Sequence, residues 1–121
     1  MKVIGGEAVE EVRGGRKLLR IKITAEVGGV LRDYVITYSR RSSNNAAVGR
    51  AAARADAPGG READAKRLVA VIKALTGEEP KVYQRSDGKI EIICGREHLD
   101  GFMRYKELAE AIMKWLEETG R

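Results

Sequence analysis

Cys94, His98 and Asp100 fall close together in the string CGREHLD, the combination from which a thiolate–imidazole nucleophile or a metal site would be built. A nucleophile pair needs spatial contact and a third group to orient the base. One cysteine and one histidine cannot supply a four-ligand zinc site. Cys94 closes an apolar run, so a small buried hydrophobe is the simpler reading, with His98 at a helix start or in a loop. Asp56 could hold Mg²⁺ together with an acid from a second copy, although an aspartate two residues before Pro58 is ordinarily a turn residue. Gly59-Gly60 precedes a helical pattern, but neither a GxxxxGK[ST] nor a GxGxxG string is present, and Glu62 and Asp64 in the first turn would repel phosphate. No catalytic residue, metal ligand or cofactor site is therefore assigned.

Positive charge is the stronger signal. The net charge of +5 conceals an asymmetry. Residues 13–54 carry ten Lys/Arg against Glu26 and Asp33, a balance of +8, whereas residues 1–12 balance at −2 and residues 55–121 at −1. A concentrated basic surface attracts polyanions, because neutralising phosphates releases condensed counterions. The candidate nucleic-acid contacts are Arg20, Lys22, Arg40, Arg41, Arg50 and Arg54. Trp115, Tyr105 and Phe102 lie on or near an apolar helical stripe and are assigned to the core, while the side of Tyr83 depends on a register that the sequence leaves open.

The elements that must position these bases start with a hairpin. Residues 18–27 and 30–39 flank Gly28-Gly29, a pair that permits the positive φ of a two-residue turn. Setting Val27 opposite Val30 places Leu19, Ile21, Ile23, Ala25, Tyr34, Ile36 and Tyr38 on one face, apolar apart from Arg32. Arg20, Lys22, Thr24, Glu26, Asp33, Val35 and Thr37 take the other. Glu26 and Asp33 confine any phosphate binding to the end far from the turn. Residues 1–16, interrupted by Gly5-Gly6 and Gly14-Gly15, form an N-terminal arm or edge strand, and residues 17–121 a single domain. Residues 44–56 (NNAAVGRAAARAD) are expected to be helical because alanine favours helix. Arg50 and Arg54 would then share a face. The alternation of Gly49, Ala51, Ala53 and Ala55 also suits a narrow strand. Ala57-Pro58-Gly59-Gly60 breaks the chain. A helix follows with Ala65, Leu68, Val69, Ile72 and Leu75 on one face, closed by Gly77 and Pro80. Residues 81–85 and 89–94 form a second hairpin, and residues 101–118 a last helix with the stripe Tyr105, Leu108, Ile112, Trp115 and Leu116. The order ββ-(α or β)-α-ββ-α predicts an α+β fold, two antiparallel hairpins with amphipathic helices on one sheet face.

Length and composition agree with one domain. At 121 residues and 43% hydrophobic content the chain can bury a core unaided. No apolar run approaches the roughly 20 residues of a membrane span, and the N-terminus lacks the apolar stretch of a secretory signal. The lone Cys94 has no internal disulfide partner, so a cytoplasmic location and no membrane partner are expected. Charged residues at 34%, with one Gln and two Asn, suit a thermophilic source.

Three strings, ADAPGGREADA, IKALTGEEPKVY and CGREHLDGFMRY, resemble the PaRep-type repeat-family domain of thermophilic archaeal genomes over residues 20–121. The resemblance implies a thermophilic archaeal source and a mobile or repetitive genomic context, and it transfers no active site. The hairpin between two amphipathic helices is similar, more weakly, to half of a LAGLIDADG homing endonuclease, whose sheet lies in the DNA major groove. No LAGLIDADG-like helix precedes the first hairpin here, so that resemblance implies only a DNA-facing sheet. The sequence thus predicts a non-enzymatic domain that binds DNA or RNA, with a protein-interaction or homodimerisation module, or a degenerate endonuclease, as alternatives. In the module reading the small residues 46–55 pack against a partner.

Overall fold

In a computed structural model, which describes residues 1–120, the elements run β1 (Lys2–Arg13), β2 (Arg16–Val27), β3 (Val30–Arg40), β4 (Ala47–Ala52), α1 (Gly60–Thr76), β5 (Lys81–Gln84), β6 (Ile90–Cys94), α2 (Arg96–Phe102) and α3 (Lys106–Thr119). The strands form one antiparallel sheet in the order β1-β2-β3-β4-β6-β5. The fold is α+β, with the three helices packed on one face of the sheet.

The first hairpin organises the sheet. Gly28 and Gly29 take φ of +57° and +79°, and the register pairs Val27 with Val30, Ile23 with Tyr34 and Leu19 with Tyr38, as the alternation predicts. Leu19, Ile21, Ala25 and Tyr38 are fully buried against the helices. The N-terminal residues take the edge-strand alternative: β1 pairs with β2 along its length, with a bulge between Val3 and Gly5.

In residues 44–56, expected to be helical with a narrow strand as the alternative, Ala47–Ala52 form strand β4. Tertiary packing overrides the helix propensity of alanine there. Gly49 sits opposite Tyr38, and a Cβ on it would lie 2.6 Å from the tyrosine ring. Only a strand of small residues lets Tyr38 lie across β4, where its hydroxyl donates to the Gly95 carbonyl at 2.9 Å. Ala47, Ala51 and Ala53 are buried against the domain's own core, whereas Arg50, Ala52 and Ala55 of the same segment are exposed.

Asp64 of α1 has no exposed surface, and it explains the one charge on the apolar face of the hairpin. Arg32 donates to it through Nε at 2.6 Å and through Nη2 at 2.7 Å, and its guanidinium lies 4.8 Å from the centre of the Tyr34 ring. The Arg54 backbone N–H adds a bond of 2.8 Å, and Arg67 stands 3.7 Å away. Burial by itself would raise the Asp64 pKa, but these partners hold it below the ordinary carboxylate value. Ala65, Leu68, Ile72 and Leu75 of the expected stripe are buried with Val71, whereas Val69 is half-buried.

The last helix, expected over 101–118, starts at Lys106 as α3, and a separate short helix that was not expected, α2, occupies Arg96–Phe102. Gly101 presses on Thr76, where a Cβ would come within 2.6 Å. The Tyr105 hydroxyl donates to the Leu75 carbonyl at 2.9 Å, anchoring the turn between the helices to the end of α1. Trp115 and Phe102 are fully buried, and the Trp115 indole donates to the Lys17 carbonyl at 2.9 Å.

Candidate nucleic-acid interface on the open sheet face

The face of the sheet away from the helices has no covering layer among the described residues. Strand alternation sends Arg20 and Lys22 of β2, Thr37 of β3 and Arg50 of β4 to it. Register then aligns Val9, Arg20, Thr37, Arg50, Ile93 and Lys81 in one row across all six strands. Arg20, Arg50 and Lys81 occupy alternate strands of that row, so neighbouring cations are roughly 10 Å apart at about 4.8 Å per strand. All three are exposed, and none forms an ion pair among the described residues. Arg41, in the loop after β3, is likewise exposed and unpaired among the described residues. It lies with Lys81 beside an open cleft of about 380 Å³ at the end of the face, whose other walls include Glu78, Glu79 and Glu97.

The remaining bases of the expected set serve other ends. Lys22 is on the open face, but its ammonium is 2.9 Å from Glu7, which raises its pKa by hydrogen bonding and charge. Arg40 points the other way, because β3 sends Tyr38 and Arg40 to the helix side. It donates to Thr119 Oγ1 at 3.1 Å and to the Asn45 carbonyl at 2.9 Å, and its guanidinium lies 4.9 Å from the Trp115 ring centre. Burial, then the charge of Arg96, lowers its pKa. Arg40 is a structural residue, and its assignment to the binding face is corrected. Arg54 no longer shares a helix face with Arg50; it is tied to Asp56 at 3.0–3.1 Å, which lowers the Asp56 pKa and raises its own.

Two exposed residues of hairpin two join the face: Lys81, which was not anticipated, and Tyr83, whose side the sequence left open. Lys81 completes the row, and Tyr83, opposite Glu91, stands on the open face with 51% of its surface exposed. The signal was available: with Ile90 and Ile92 in the core, pairing Gln84 with Ile90 sends Tyr83 and Lys81 outward. Acids interrupt the face. Glu7, Glu11, Glu26, Asp33 and Glu91 share it, with Glu26 and Asp33 at the turn end as anticipated. The field is thus a basic band across the middle of the sheet.

The residues with catalytic potential are separately engaged. Cys94 is buried and its pKa is pushed up to about 12 by burial and the nearby Glu97 charge. His98 Nδ1 accepts the Gly95 N–H at 3.0 Å at the start of α2, and Asp100 is held by Arg96 at 2.8 Å. Among the described residues no three His, Cys, Asp or Glu side chains are grouped to hold a metal. No helix among the described residues is long and apolar enough to cross a membrane. No protein-family model, curated protein or solved structure matches this chain.

Proposed function

We propose that this chain is a non-enzymatic nucleic-acid-binding domain that uses the open sheet face, with Arg20, Arg50 and Lys81 as phosphate contacts and Arg41 at the flank. The supporting observation is the cross-strand row: three extended cations in one line on an uncovered surface, each without a carboxylate partner among the described residues. Guanidinium and ammonium donors so arranged take phosphate oxygens and fix orientation without reading sequence. Three or four such contacts on duplex DNA give log K against log salt a slope of roughly −3 to −4. Replacing Arg20 and Arg50 together by glutamine flattens that slope by nearly two units. Replacing Lys106 and Lys114 on α3 leaves it unchanged. Absence of any shift of DNA or RNA at low salt removes the reading.

A second reading rests on a different observation. β1 is an edge strand of 12 residues with Val3, Ile4, Val9 and Val12 exposed. An open edge with apolar side chains is a template for pairing with another chain. A protein-interaction or homodimerisation module would use it, and its signature is self-association without salt-dependent nucleic-acid binding. A Mg²⁺-dependent endonuclease would need Asp56, whose carboxylate is occupied by Arg54; cleavage lost in Asp56→Asn would restore that reading.

A further inference from the structure

Tyr83 lies in the outermost strand of the sheet, between two residues that turn towards α1. Val82 and Gln84 line the cleft between β5 and that helix, so the Tyr83 ring projects on the opposite, open side. Its cross-strand neighbour Glu91 is already bound by Arg85 at 2.7 Å, which leaves the aromatic face unclaimed by charge. Half-buried Ile93 stands between Arg50 and Lys81 in the basic band, and half-buried Val35 lies one row nearer the first hairpin's turn, opposite Lys22. The surface therefore sets phosphate-binding groups beside an exposed aromatic ring and apolar side chains.

A duplex makes poor use of such a surface. Its base faces are stacked inside, it offers phosphates at high density, and Glu26 and Asp33 at the turn end oppose that density. A single strand presents unstacked bases between its phosphates. Bases stack on aromatic side chains in a manner tolerant of sequence, while arginines take the backbone. The band from β2 to β5 spans about 19 Å, at about 4.8 Å per strand, enough for a short run of nucleotides. Resting on the nucleic-acid reading above, we infer that the open face selects single-stranded over double-stranded polynucleotide, with Tyr83 as a base-stacking platform and Arg20, Arg50 and Lys81 as backbone contacts.

Fluorescence anisotropy of the full chain with labelled single-stranded RNA, single-stranded DNA and the DNA duplex of the same sequence tests this. Both single strands are expected to bind more tightly than the duplex, with a salt slope near −2 from three contacts at about −0.7 each. Tyr83→Ala is expected to weaken single-strand binding roughly 5- to 150-fold while leaving the salt slope unchanged, as loss of one stacked base requires. Tyr83→Phe keeps the ring and binds as the parent does. A thermal melt of each variant confirms that the fold is intact. Tighter binding to the duplex, or unchanged affinity in Tyr83→Ala, overturns the single-strand inference and leaves the phosphate-binding face standing. Failure to bind any of the three polymers at low salt overturns both.

Discussion

A carboxylate with no exposed surface survives in a folded chain only where its charge is matched at short range, and Asp64 is matched by the two-pronged Arg32 guanidinium and a backbone N–H. Removing one partner strands the other. Arg32→Ala should therefore cost about 3–5 kcal/mol in a denaturant titration, whereas Arg32→Leu combined with Asp64→Leu should recover most of that loss. The same pair gives the domain an acid limit. Because the folded Asp64 pKa lies below its ordinary 3.8, its contribution is present above that value and disappears as pH falls through the lower folded value. The double leucine variant should accordingly lose less stability than the parent between neutral pH and the acid side of 3.8. Cys94 makes a second prediction at this scale. A buried thiol with its pKa pushed up to about 12 is protonated at neutral pH, so native labelling should proceed only as fast as the domain opens. Rapid labelling of the folded protein would contradict the packing around β6.

At the scale of elements, β4 depends on Gly49. A methyl group there meets the Tyr38 ring at 2.6 Å, so Gly49→Ala should destabilise by roughly 1–3 kcal/mol, and by less in a Tyr38→Leu background. If residues 47–52 were helical, the same change would stabilise them. Ile23→Ala in the first hairpin should cost about 2–5 kcal/mol, since that side chain is 2% exposed in the core. That hairpin was legible in the sequence because turn chemistry and alternation specify the same register. β4 was left between helix and strand because its alanines suit the one and its alternation the other, and the tyrosine on a neighbouring strand that requires small residues there lies outside the segment. The late start of α3 was hidden for a related cause: the apolar period continues through residues 102–105, while the turn there is fixed by Thr76 and Leu75 of another helix. The open face was half legible. Arg20, Lys22 and Arg50 follow from alternation, but Arg40 was counted by its position near the strand end when its parity sends it to Trp115, and Tyr83 needed the pairing of a short hairpin.

Across the whole molecule, the +8 balance of residues 13–54 overstates the charge offered to a partner. Arg16 donates to the Arg40 carbonyl, Lys17 binds Glu118, Lys22 binds Glu7, Arg32 binds Asp64, and Arg54 binds Asp56. With Arg13 bound to Glu11 and Arg40 to Thr119 and Asn45, the bases of this stretch that remain free among the described residues are Arg20, Arg41 and Arg50, joined by Lys81 from a distant part of the chain. Arg40→Gln should therefore lower the melting temperature while leaving the salt slope of nucleic-acid binding intact. The topology also makes the chain divisible. Strands β1 to β4 are consecutive, everything from α1 onward is a second run, and within the sheet the two runs meet at the β4–β6 seam, Gly49 to Cys94 through Ala52 to Glu91. The exposed stretch at 54–56 that links them is crossed by few structural demands beyond the Arg54 N–H bond to Asp64. Two polypeptides, 1–56 and 57–121, each carry half of one core that neither can close alone. Expressed together they should assemble and co-purify as a native heterodimer whose melting temperature rises with concentration, and expressed apart each should remain unfolded.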